Sequence, residues 1–97
     1  MIKRFVKMTF KPEYIEDFKE VFNNSKEFIA AMEGCSYVEL LQDIDNPTIF
    51  FTFSIWENPT YLEAYRQSEL FKNVWAKTKI LFGDKPEAWS VKQLEKK

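Results

Sequence analysis

Arg4 sits in a strand-like stretch, Met1 to Phe10, on the same face as Ile2, Val6 and Met8. A guanidinium among apolar neighbours needs an anion: a carboxylate, a phenolate or an enolate. Tyr37, Trp56, Tyr65, Trp75 and Trp89 offer a second kind of chemistry. Each brings a polar tip on a flat apolar body, which suits the wall of a pocket for planar aromatic ligands. Taken singly, each aromatic reads as core packing. Taken with Arg4, the group reads as a pocket.

Other chemistries are excluded by residue type. The chain has no histidine. Ser-His-Asp and Cys-His catalysis, histidine metal sites and histidine haem ligation are therefore absent. The single cysteine, Cys35, permits neither a thiolate cluster nor an intrachain disulfide. It follows Gly34 with no basic neighbour, so it reads as a small half-buried residue rather than a nucleophile. Two glycines leave no phosphate-cradling loop and no G-x-G-x-x-G turn. The acids Glu13, Glu16, Asp17 and Glu20 fall on a solvated helix face, and Asp43 and Asp45 flank a turn. No metal and no cofactor are expected.

The elements that must position these residues follow from periodicity. Met1 to Phe10 predicts a strand, with Phe5 on the face opposite Arg4. Pro12 marks a helix start, with Glu13, Glu16 and Asp17 at its positive end. Tyr14, Phe18, Val21, Ser25, Phe28 and Met32 then recur at helical spacing. Gly34 is the expected C-terminal cap. Ser36–Gln42 and Thr48–Trp56 predict a hairpin around Asp45-Asn46-Pro47. Asn58-Pro59 opens a helix to about Gln67, and Ser68-Glu69 caps a second piece. Leu70, Phe71, Val74, Trp75, Thr78 and Leu81 continue it, and Gly83 is expected to close it as a cap. A last strand is expected over Ala88–Leu94.

The order β-α-β-β-α-β over residues 1–97 predicts one α+β domain of ferredoxin-like type. Its helices can cover one face of a four-stranded antiparallel sheet. The other face is apolar too: Ile49, Phe51, Phe53 and Ile55 alternate with Phe50 and Trp56, and Tyr37 and Leu41 with Val38 and Leu40. An uncovered apolar face marks an interface, so a homodimer is expected, its sheets stacked into a barrel-like core. With 97 residues, 18% of them aromatic, the chain can build a core, and pairing would help so small a domain.

A net charge of −1 with scattered basic residues argues against nucleic acid as a partner. No apolar run is long enough to span a bilayer, and no signal peptide is read at the N-terminus. With the lone cysteine, these features suggest a cytoplasmic setting.

Phe50-Phe51-Thr52-Phe53-Ser54-Ile55-Trp56-Glu57-Asn58-Pro59, continuing through Tyr61-Leu62-Glu63-Ala64-Tyr65-Arg66 to Ser68-Glu69-Leu70-Phe71-Lys72, resembles the antibiotic biosynthesis monooxygenase (ABM) domain. That family has an apolar strand ending in Trp-Glu, a polar turn, and a helix with a Ser-acid-x-Phe step. Glu33-Gly34-Cys35 resembles its Glu-Gly-Cys, and the strand with Trp89 also fits. The resemblance implies a dimeric α+β barrel, often with strand exchange. It also implies kinship with anthrone- and quinol-type monooxygenases that use neither flavin nor metal. There the ionised substrate itself passes an electron to O₂. Arg4 and Tyr65 are then the expected catalytic residues. Val6, Tyr37, Trp56, Trp75 and Trp89 are the expected substrate contacts. Another branch degrades haem with an Asn, a Trp and a His. Val6, Tyr65 and Trp75 stand at those positions here, so haem is not an expected partner.

Two functions follow. One is a cofactor-independent monooxygenase acting on a small phenolic or quinol-like compound. The alternative is a non-catalytic small-molecule-binding or stress-related module of the same fold. An RNA-recognition domain shares the strand order but lacks the basic and glycine positions before its aromatics.

Overall fold

A computed structural model describes residues 1–97. The chain runs β1 (Ile2–Thr9), a 3₁₀ turn (Pro12–Tyr14), α1 (Ile15–Ala30), β2 (Cys35–Gln42), β3 (Ile49–Trp56), α2 (Pro59–Arg66), α3 (Glu69–Lys79) and β4 (Glu87–Val91). The strands form one antiparallel sheet in the order β2-β3-β1-β4. This is the ferredoxin-like α+β plan.

Side chains alternate across a strand, so register decides what each face carries. Arg4 pairs with Ser54 on one side and Ser90 on the other; Val6 pairs with Thr52 and Ala88. These residues, with Met8, Phe50 and Trp56, share the face under the helices. Phe5, Phe53 and Trp89 are aligned on the opposite face.

At one end of the covered face, Met8, Phe10, Phe18, Phe50 and Leu81 form the core. Phe10 stacks on Phe18 with centroids 4.1 Å apart. The helical pieces start where their caps dictate. Asn58 Oδ1 accepts from the Tyr61 N–H at 3.2 Å, and Ser68 Oγ accepts from the Phe71 N–H at 3.1 Å. Each such cap is worth about 1 kcal/mol.

Several expectations need correction. Phe28 belongs to the helical stripe by spacing, yet it is 65% exposed. The inward face of α1 is instead set by Phe18, Ser25 and Ile29. The chain leaves that helix at Ala30, short of Met32, and β4 ends at Val91, short of Leu94. Gly34 does adopt a left-handed backbone, φ +84°. Gly83 does not. Its small size serves close approach: a Cβ there would lie 3.2 Å from the Lys11 nitrogen, and its N–H donates to the Thr9 carbonyl at 2.8 Å.

Candidate functional site

Away from the Phe10–Phe18 core, the helices do not close on the sheet. A cavity of about 340 Å³ remains between them. Its floor is the covered sheet face, including Arg4, Val6, Ser54 and Trp56. Its roof comes from α2 and α3, through Tyr65, Arg66, Phe71 and Trp75. The volume lies at the small end of the range for ligand pockets.

An aromatic run forms one wall. Trp56 stacks on Tyr65, centroids 4.9 Å apart and planes 23° apart. Tyr65 meets Phe71 edge-on at 5.3 Å, and Phe71 lies nearly parallel to Trp75 at 6.0 Å. Trp56 is only 1% exposed, and its indole N–H donates to Ser54 Oγ at 3.0 Å. That bond holds the ring in place and uses its polar tip internally.

Arg4 is half-buried, and its guanidinium donates to Ser90 Oγ at 3.1 Å. Burial lowers its pKa, as does the nearby Arg66 charge; Tyr65 and Glu63 oppose this. It remains a cation, since guanidinium does not lose its proton in proteins. Burial first, then Cys35, push the Tyr65 phenol up to about 12, with Arg4 pulling the other way. Tyr65 is therefore a protonated hydrogen-bond donor at neutral pH.

Of the residues expected at the site, Arg4, Val6, Trp56, Tyr65 and Trp75 meet around this cavity. Tyr37 and Trp89 do not. Trp89 pairs with Phe5 on the open face. Tyr37 pairs with Ile55 in the unbroken ladder that runs to Gln42, which puts it on the open face. A bulge before it changes parity and turns Cys35, paired with Trp56, to the covered face. Tyr37 donates its hydroxyl to Glu39 and packs 6.0 Å from Phe53. The same bulge brings Cys35 within electrostatic reach of Tyr65. Burial raises the Cys35 thiol pKa, the opposite of nucleophile activation.

Arg66, Ser54 and Phe71 also line the cavity, beyond the residues expected there from the sequence. The signal for Arg66 was present: it lies four residues after buried Leu62, next to Tyr65. No group of three side chains able to hold a metal ion occurs. No helix is long and apolar enough to cross a membrane.

The fold and its cavity define a ferredoxin-like α+β domain that encloses a small aromatic-walled site. Residues 1–77 match the model of the antibiotic biosynthesis monooxygenase family, and the chain belongs to that family. Among solved structures it is similar to a conserved protein from Methanosarcina mazei Go1, at 22% identity, TM-score 0.91, and 95% and 91% coverage of the two chains. It is similar also to an antibiotic biosynthesis monooxygenase, at 17% identity, TM-score 0.92, and 98% and 100% coverage. These two likenesses show the fold.

A curated relative from Natronomonas pharaonis carries the name "Putative heme-binding protein". It is 28% identical over 78 residues, which are 80% of this chain and 13% of the relative's length. The donors lining the present cavity do not fit a ligated haem. Haem iron takes His, Cys, Met or Tyr. The chain has no His, and Cys35 is not in the lining. Met8 is 3% exposed within the Phe10–Phe18–Phe50 core, and Tyr65 holds its proton to about 12.

Proposed function

We propose that the chain is a cofactor-independent monooxygenase for a small phenolic or quinol-like compound. The observation that carries this reading is the cavity in which Arg4 and Tyr65 stand beside an aromatic wall. A planar ring fits against Trp75 and Phe71. Arg4 supplies fixed positive charge to a phenolate or enolate oxygen, and Tyr65 supplies a proton donor to the same region. Both act by stabilising negative charge in a cavity partly withdrawn from water. The ionised substrate passes an electron to O₂, and the resulting pair recombines at carbon. One oxygen atom stays on that carbon, the other leaves as water, and every electron comes from the substrate. Val6 and Trp56 shape the floor of the site.

The working unit is a homodimer. The open sheet face carries Phe5 and Phe53, 4.9 Å apart, together with Trp89 at 46% and Leu41 at 41% exposure. Stacking two such faces removes this patch from water. Tyr37 and Trp89 would then serve the pairing rather than the ligand. Oxygen uptake with a panel of phenols and quinols, in metal-chelated buffer without flavin or nicotinamide, tests the enzymatic reading. Ligand binding without uptake across that panel supports the non-catalytic module instead.

A further inference from the structure

Two guanidiniums, not one, border the cavity: Arg4 from β1 and Arg66 from the end of α2. They are close enough that the Arg66 charge helps hold down the Arg4 pKa. Like charges brought together in a partly dry site are unfavourable unless an anion joins them. Within the protein, Arg4 hydrogen-bonds only to neutral Ser90 Oγ; the Glu63 carboxylate is near enough to raise its pKa but makes no salt bridge with it. Arg66 pairs with Glu63 at 3.3 Å, with both side chains about half exposed. Such a surface pair is worth little, so Arg66 is easily re-aimed. The one carboxylate in the lining, Glu87, is exposed on β4 opposite Lys7. Lys7 lies three residues along β1 from Arg4, roughly 10 Å at strand spacing.

A single phenolate needs one cation. The second leaves room for another negative group, and the planar guanidinium fork matches a carboxylate. We infer that the cavity's ligand is an aromatic acid, its ring against Trp75 and Phe71 and its carboxylate held between Arg4 and Arg66. This rests on the aromatic-pocket reading above and narrows its substrate class.

The test compares 2-naphthoate with 2-naphthalenemethanol, which share a ring and differ in charge. Binding is followed by tryptophan fluorescence and calorimetry at two salt concentrations, in wild type, Arg66→Gln and Arg4→Gln. The expected result is an acid preference of about tenfold or more. It should fall in each variant and at higher salt, while the alcohol's affinity falls far less. Equal affinity for acid and alcohol in wild type, or an acid preference that survives both substitutions, overturns the inference and leaves the aromatic pocket standing. Failure of both compounds to bind removes the pocket reading itself, and the inference with it.

Discussion

The Tyr65 ring lies over Trp56 at 4.9 Å and 23°, so the hydroxyl of one and the indole of the other are fixed by mutual packing. The Tyr65→Phe variant keeps that stack and removes only the hydroxyl. Turnover should fall by on the order of 100–1,000-fold, the scale of losing one placed donor. The melting temperature should hardly move. Steady-state oxygen uptake with parallel thermal melts checks this. An unchanged rate would remove Tyr65 from the catalytic pair.

The pH dependence of turnover should follow the substrate. Tyr65 keeps its proton to about 12 and cannot serve as the base near neutrality. The rate should therefore rise through the phenol's own pKa and shift when a more acidic phenol is used. A profile whose midpoint ignores the substrate would reveal a protein base and contradict the scheme.

Tyr65 also has a stability signature. Its folded pKa lies above that of an unfolded tyrosine, so the folded state holds the proton longer. The contribution is fully present below about pH 10 and is lost as pH rises toward 12. The loss should be roughly 1–3 kcal/mol. Urea unfolding at pH 8 and pH 11 would measure it, and Tyr65→Phe should flatten the difference.

Gly34 has no conservative replacement. Its φ is +84°, and an added Cβ would collide with the Tyr61 ring. Gly34→Ala should cost roughly 2–4 kcal/mol, combining left-handed strain and displaced packing. A melt unchanged within a degree would show that α2 is free to move away.

On the open face, Phe53→Lys puts a charge in the middle of the aromatic patch. Light scattering should find wild type at twice the chain mass and the variant at the chain mass, with helix content retained. A wild-type monomer at high concentration would end the barrel model.

How far the sequence could be read follows from local rules. Strand alternation correctly separated Arg4, Val6 and Trp56 from Phe5 and Phe53, because each strand is continuous there. The same alternation set Tyr37 with Leu41, opposite Val38, so Tyr37 as a ligand contact ran against its own strand face. What the bulge between Cys35 and Tyr37 concealed was the side taken by Cys35, because it changes parity and leaves no mark in composition. Asn58 and Ser68 announced their helices through capping chemistry. Phe28 misled because the stripe on α1 is wider than the surface it meets; Phe22 and Ile29 turn toward the sheet and leave it outside. Gly83 misled because the residue type fits both a cap and a close approach, and only the packing against Phe10 and Lys11 distinguishes them.

The central claim is oxygenation steadied by Arg4 inside the aromatic cavity, and isotope transfer tests it most directly. Protein treated with chelator and dialysed would be given a phenolic substrate under ¹⁸O₂, and the product mass read. The account predicts one labelled oxygen atom per product molecule with wild type and loss of at least ~90% of that label with Arg4→Ala, on the scale of removing one charge-stabilising group. Equal labelling by wild type and Arg4→Ala, or product oxygen derived from water, would contradict it.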